Sequence, residues 1–414
     1  MKILHISTAD KSGGAAIAAL RLNNAMLASG LYSKLLVKKK DSSQGSVISV
    51  SKNGKRTKLK DFFLSIWNYL LNKYLLKPSY IYSFSNWGIH ISHLSELKEA
   101  DVIYIHWVNN FLSIKEISKI LNLGKPVFFF MHDMWHITGG CHYSFECNLY
   151  ESRCKNCPLL RGRFFDSASY IFKRKEKLLK SNSNLYYITP SRWLEHCVSK
   201  SSILGINKVI TIPNVLDANI FKEIDSKTAR NILNLPQDKQ LLLFGADGGT
   251  ANPYKGWKYL KQALNDLSKK DNIELVIFGN TLSPHESEQI PYFIHSFGKV
   301  YDEYSLSLLY NAVDVFITPS LVDNYPNTIL ESLFCGTPVV AFDVGGIPDL
   351  VKHQVTGYLA KTKDARDLAL GIEWSLKQIN NKEFMYVFKQ FINKNLCMER
   401  RLIQHLELIE NILK

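Results

Sequence analysis

The chain has 414 residues, more than one hydrophobic core usually serves, so two domains of about 200 residues are expected. A hydrophobic share of 46% with 21% charged residues is that of a folded globular protein and excludes a disordered or fibrous chain. The net charge of +14 suits phosphates, an anionic membrane surface or nucleic acid. No helix-turn-helix, zinc-finger array or RNA-binding signature accompanies the charge, so nucleic acid is set aside as a partner.

The first residues, Met1 to Ser7, lack the apolar run of a signal peptide and read as a buried strand. No stretch approaches the roughly 20 apolar residues of a membrane-spanning helix, so a cytoplasmic protein is expected. Ser12-Gly13-Gly14-Ala15-Ala16 follows this strand and opens an Ala/Leu-rich helix. Two readings are open there: a tight strand-to-helix turn, or a backbone that approaches a phosphate at a helix N-terminus. A second strand at Lys34–Val37 ends in Lys38, Lys39 and Lys40, where a dinucleotide-binding unit would carry an acid, which disfavours NAD.

Residues Lys52–Lys77 join a basic start to Phe62-Phe63-Leu64-Ser65-Ile66-Trp67. This insert reads either as a helix packed on the first domain or as a segment lying on an anionic membrane surface. Strands follow at Val102–His106 and Val127–Met131. Met131-His132-Asp133 leaves the second of these at its carboxyl end, where His132 can donate to a phosphate or a sugar hydroxyl, or simply cap with Asp133. His106-Trp107 leaves the preceding strand in the same way. Cys141, Cys147, Cys154 and Cys157 then crowd one loop, and the last pair has knuckle-like spacing. A structural zinc, free thiols and redox bridges are all open for it.

Further strands at Tyr186–Thr189 and Val209–Ile212 complete the first half, and the turn Pro213-Asn214 closes it. The second half repeats the alternation, with strands at Leu241–Phe244, Leu275–Phe278, Val315–Thr318 and Val339–Phe342. Continuous apolar runs of this kind are those of parallel strands covered on both faces. The fold class is therefore α/β, with two doubly wound Rossmann-like domains facing a central cleft. The N-terminal one is placed at 1–213 with its Cys-rich insert at 139–160, and the C-terminal one at 214–394. A last helix, about 395–414, is expected to pack back on the first domain.

Two segments of the second half carry chemistry. Phe244-Gly245-Ala246-Asp247-Gly248-Gly249 leads to Tyr254-Lys255-Gly256, a cation after a glycine-rich loop, as a diphosphate requires. The run from Thr318 to Pro348 is richer. A strand enters a loop at Asp323, Asn327 or Thr328 caps a short helix, Glu331 lies within it, and Gly336 ends it. Loop amides and the helix dipole favour an anion there, and Glu331 can reach a ribose-like diol. Gly345-Gly346 repeats the close-approach device after the next strand.

Ile212-Pro213-Asn214, Lys255-Gly256, Phe278-Gly279 and the stretch from Asp323 to Gly346 come in the order and spacing of the family-4 retaining glycosyltransferases, which this chain resembles. The resemblance implies the GT-B fold and transfer of a sugar from a UDP- or GDP-sugar to a saccharide or lipid-linked acceptor in polysaccharide assembly. It implies that Glu331 binds the nucleotide ribose and that Asp323 sits by the sugar. Gly245, Gly279, Asn324, Tyr325 and Asn327 would line the donor, and Lys255 would neutralise the diphosphate. Gly13 and Gly14 would approach the phosphate, His132 the transferred sugar, and Phe297–Val300 the base.

Two departures stand out. The family has glutamate where this chain has Asp323, one methylene shorter. It also often has an arginine shortly before the lysine, and Asp247–Tyr254 contains none. No Asp-x-Asp motif appears, so catalysis without a metal or other cofactor is expected, at most with a structural zinc. A lipid-linked acceptor would place the protein at the inner face of the membrane. A GT-B sugar-nucleotide epimerase and a non-catalytic sugar- or lipid-binding partner are the alternatives.

Overall fold

The computed structural model describes the chain except residues 51–65, 67–72, 75, 78–79, 85, 162–165, 181, 246–249, 251, 269–271, 280–281 and 283. It divides into two compact units, Met1–Val215 with Arg401–Lys414, and Leu216–Arg400.

The first unit holds a seven-stranded sheet. Its strands are β1 (Lys2–Ala9), β2 (Tyr32–Lys39), β3 (Val47–Ser49), β4 (Val102–Ile105), β5 (Val127–Phe130), β6 (Leu185–Thr189) and β7 (Lys208–Thr211). They run in the order β3-β2-β1-β4-β5-β6-β7, and every pairing is parallel. The second unit holds six strands: β8 (Gln240–Gly245), β9 (Ile273–Phe278), β10 (Ile294–Ser296), β11 (Val315–Thr318), β12 (Val339–Phe342) and β13 (Gly357–Ala360). Their order is β10-β9-β8-β11-β12-β13, again all parallel.

Both orders are doubly wound. Connections leave the first strand of each sheet to one side, then return and continue to the other. The central strands are buried on both faces, as their apolar runs require; β4, β5, β11 and β12 are buried at every position. Sequence reasoning passes over β3, β10 and β13. Each is a short edge strand of three or four residues, too brief for a periodic signal.

Helices close both faces. Helix Gly14–Ala28 packs through Leu22 and Met26 on Ile3 and Tyr104. The last helix, Met398–Leu413, brings Ile409 into that same core, and His405 is fully buried beside Tyr104. The Arg401 guanidinium donates to the Asn214 carbonyl. In the second unit, buried Arg230 donates to the carbonyls of Ala312 (2.8 Å) and Lys239 (2.9 Å) and to Asp314 Oδ2 (2.9 Å). Asp314 also accepts from Leu241 N at 2.7 Å, so this network fixes the start of β8 against β11. Burial pushes the Asp314 carboxyl up, with Arg230 opposing it.

Removing Arg230 would strand Asp314 without its cation. Arg230→Met should cost about 3 kcal/mol, and adding Asp314→Asn should restore part of it. Thermal melts of the single and double variants check this; an unchanged midpoint in Arg230→Met would contradict it.

Candidate functional site

The candidate site of the second unit stands at the carboxyl ends of β8, β11 and β12. β8 and β11 are neighbours, and the connections diverge between them, which is where doubly wound sheets leave room for a ligand. Lys255 follows β8 and Asp323 follows β11. Their side chains meet across the switch point, with Lys255 Nζ 2.8 Å from Asp323 Oδ2. Sequence reasoning gives the two residues separate tasks; the structure makes them an ion pair.

The backbone around the pair leaves no slack. Gly256 has φ +67°, and a Cβ there would lie 1.8 Å from the Pro319 carbonyl oxygen. Leu321 N donates to the Tyr254 carbonyl at 2.7 Å, stitching the two loops together. On the other side Gly345 has φ +56°, and its Cβ would lie 2.0 Å from the Asp323 carbonyl oxygen. Gly346 N donates to that same oxygen at 3.1 Å. Glycine is thus needed at 256 and 345 because two loops touch backbone to backbone. Asn324 N donates to Asp323 Oδ1 at 3.0 Å, which holds the carboxylate within its own loop.

Helix Asn327–Phe334 begins differently from expectation. Pro326, not Asn327 or Thr328, takes the capping position, and no side chain caps the helix. The fixed proline φ of −65° suits the entry, and the missing proline N–H would have been unbonded there anyway. Gly336 does follow the C-terminus in the left-handed conformation, φ +81°. Glu331 is buried, and Tyr310 donates its hydroxyl to Glu331 Oε2 at 3.1 Å. Tyr325 sits in the core with Ile329 and Leu330, so burial accounts for its ring. Gly245 has a core explanation as well: a Cβ would strike the Phe278 ring at 1.9 Å. Gly279 carries φ +101° and donates its N–H to the Gly298 carbonyl at 2.7 Å. Of the loop after β8, residues 246–249 lie outside the described residues.

In the first unit Gly13, at φ +88°, precedes helix Gly14–Ala28 and accepts from Ala16 N and Ile17 N. His132 is half-buried beyond β5. Its Nε2 lies 3.1 Å from His106 Nδ1, whose Nε2 lies 3.0 Å from His5 Nδ1. Asp133 pairs with His142 instead, at 2.6 Å, and accepts from Trp107 Nε1 (3.0 Å) and Trp135 N (2.8 Å). The histidine–aspartate pair weighed for this loop therefore forms, with a different histidine. Burial opposes ionisation of Asp133, yet His142 and these donors hold its carboxyl below the ordinary range. Burial drives His132 down to about 4, and His5, His136 and His405 to about 3. His5 and Tyr310 carry no motif; strand parity could have found His5, which shares a sheet face with Tyr104.

Cys141, Cys147, Cys154 and Cys157 all line one pocket beside Tyr82 and Tyr150. Among the described residues no group of three or more His, Cys, Asp or Glu side chains that could hold a metal ion is found. Burial pushes the Cys141 thiol up to about 12 and raises Cys154 and Cys157 as well. Lys175 is fully buried nearby, pushed down to about 7 by burial, with its Nζ 3.7 Å from the Trp135 ring centroid and donating to Thr138 O at 3.0 Å. The basic insert Lys52–Lys77 lies almost wholly outside the described residues. Among those described, no helix is long and apolar enough to cross a membrane.

Residues 239–378 match the family Glycosyl transferases group 1. The match lies inside the second unit and takes in Lys255, Asp323 and Glu331. Over 333 residues the chain is 23% identical to an uncharacterized glycosyltransferase of Methanocaldococcus jannaschii, covering 76% of this chain and 78% of that one. It is 26% identical over 232 residues to the lipopolysaccharide 1,2-N-acetylglucosaminetransferase of Salmonella typhimurium, covering 51% of this chain and 59% of that protein. Anabaena HepE, solved in complex with UDP and glucose, superposes with a TM-score of 0.60 at 15% identity, over 99% of this chain and 100% of that one. The likeness shows the fold, GT-B, built from two Rossmann-like units.

The neutral buried histidines set a pH limit. Each has a folded pKa below its unfolded value near 6.5, so the unfolded chain takes up protons that the fold refuses. Stability is full above about pH 6.5 and falls as pH drops toward about 3, by at most about 1.4 kcal/mol per pH unit for each group. The melting temperature should fall steadily from pH 7 to pH 5; a flat profile over that interval would rule this out.

Proposed function

We propose that the chain is a retaining glycosyltransferase that moves a sugar from a nucleoside-diphosphate sugar to a saccharide or lipid-linked saccharide acceptor in polysaccharide biosynthesis. The Lys255–Asp323 ion pair at the switch point carries this reading. It sets a cation and a carboxylate where an activated sugar would present its diphosphate and its hydroxyls. The group 1 family match over 239–378 supports it, as do the UDP and glucose in the HepE complex and the activity printed for the Salmonella relative.

In this reading Lys255 exchanges Asp323 for the diphosphate oxygens, and Asp323 is released to the sugar hydroxyls. Glu331, already oriented by Tyr310, accepts from the ribose diol. Asn324, Tyr325 and Asn327 contribute through their backbone more than their side chains, since Asn324 and Tyr325 are buried. The anomeric C–O bond breaks with its electron pair going to the nucleoside diphosphate. The acceptor hydroxyl oxygen then bonds to the same face of the anomeric carbon, and its proton passes to the departing phosphate oxygen. Lys255 stabilises the charge that develops on that leaving group. Taken by itself, the first unit has helix N-terminal amides at Gly13 and Gly14 that suit a phosphate, and His132 suits a hydrogen bond to a sugar or phosphate oxygen.

Thermal-shift measurements against a panel of UDP-, GDP- and ADP-sugars test the reading. A donor at about 100 times its Kd stabilises the native state by about 2.7 kcal/mol, which moves a domain of this size by about 5 °C or more. At least one sugar nucleotide should produce that shift, and Glu331→Gln should melt near wild type yet lose it. If no sugar nucleotide shifts the wild type, or if Glu331→Gln keeps the full shift, the donor site is misplaced. With the donor so found, Lys255→Ala should lower kcat/KM by about 100-fold or more, because it removes charge stabilisation from the transition state.

A further inference from the structure

His5, His106 and His132 form a continuous ladder across three adjacent strands. β1, β4 and β5 lie side by side, and His5 on β1 faces Tyr104 on β4 in register. His106 follows β4 directly, and its backbone N–H donates to the Ile6 carbonyl at 2.9 Å. The rings stack in sequence, with centroids 5.2 Å and 5.3 Å apart and planes tilted by 30° and 27°. Two N···N contacts of 3.0 Å and 3.1 Å join them. His5 and His106 are fully buried; His132 is the half-buried end.

A neutral imidazole has one donor nitrogen and one acceptor nitrogen. Burial keeps all three rings neutral at ordinary pH. Each N···N contact needs one proton, and His106 has one to give, so only two arrangements satisfy both contacts. In the inward one, His132 donates from Nε2 to His106, His106 donates from Nε2 to His5, and His5 must carry its proton on Nε2. In the outward one, His5 donates from Nδ1, His106 donates from Nδ1, and His132 carries its proton on Nδ1.

The buried end decides between them. His5 Nε2 is buried and has no hydrogen-bond partner among the described residues. The inward arrangement would leave an N–H orphaned in the core, the outward one only a lone pair, and orphaned buried donors are the rarer of the two. The neighbouring titratable groups do not supply the missing partner. Asp133 is engaged by His142, Trp107 and Trp135, and the His405 Nδ1 contact is with the Tyr104 hydroxyl at 3.2 Å. His136 lies against the Phe129 ring.

We infer that this ladder locks His132 in the Nδ1–H tautomer, so that it presents a fixed N–H donor to a sugar or phosphate oxygen and cannot serve as a general base through Nδ1. His5 and His106 are then positioning residues that act through His132. The inference deepens the reading of His132 as a partner of a sugar or phosphate oxygen and rests on that reading for the ligand's chemistry, but the tautomer itself is a property of the free protein.

The test is 15N magic-angle-spinning NMR of the full chain with ring-labelled histidine at pH 7.5, with His132 assigned by its absence in His132→Ala. The wild type should show His132 protonated on Nδ1 and hydrogen-bonded at a bare Nε2. His106→Phe keeps a stacked ring and removes both N···N contacts; there, half or more of His132 should move to the Nε2–H form. A wild-type His132 protonated on Nε2 overturns the inference, as does a tautomer unchanged in His106→Phe. Where His106→Phe does not fold, the wild-type spectrum alone decides, and His5→Phe supplies the second variant, expected to give a mixed tautomer at His132. With the sugar nucleotide that most stabilises the wild type in the panel, His132→Ala should bind about tenfold more weakly. Unchanged affinity alongside the expected tautomer would overturn the role of His132 in sugar-nucleotide binding while leaving the lock intact.

Discussion

The divergence of chain connections at the centre of a parallel sheet is the constraint on which both units depend. Where successive crossovers leave two neighbouring strands in opposite directions, no loop covers their carboxyl ends. In the second unit that point lies between β8 and β11, and Lys255 and Asp323 come from the two loops that flank it. In the first unit it lies between β1 and β4, and the glycine turn after β1 and His106 after β4 stand on either side. The polar groups gather there because it is the part of each sheet that helices do not seal.

Charge and close backbone contact cooperate at the second site. Lys255 and Asp323 are long enough to meet only because their loops are drawn together, and the glycines at 256 and 345 permit that approach. The ion pair itself is partly exposed and contributes little stability, as such pairs usually do. It holds the Lys255 ammonium between the two loops, and the short aspartate side chain reaches it at 2.8 Å.

The first unit achieves order by a different means. Its sheet face carries imidazoles among aromatic rings, and burial removes their charge. Neutral histidines in a core are costly unless each nitrogen has a use, so the ladder from His5 to His132 is a way of satisfying buried polar atoms. It leaves one atom unsatisfied, His5 Nε2, and that single deficit orients the remaining protons. The buried Lys175 near the four cysteines shows the same economy: its ammonium turns to backbone carbonyls and an indole ring.

Much of this was legible in the residues alone. Continuous apolar runs such as Val102–Ile105 and Val339–Phe342 read as doubly covered parallel strands, because length, β-branched composition and flanking turns are local properties. The glycine at 336 and the short helix holding Glu331 followed from local rules of the same kind. What the residues could not show was partnership. Lys255 and Asp323 are 68 positions apart, and His5 and His106 are 101 apart. Strand order brings each pair together, and strand order depends on crossovers that no local pattern encodes. The cap at Pro326 and the edge strands β3, β10 and β13 were decided by neighbouring segments that supply the contacts their own short sequences lack.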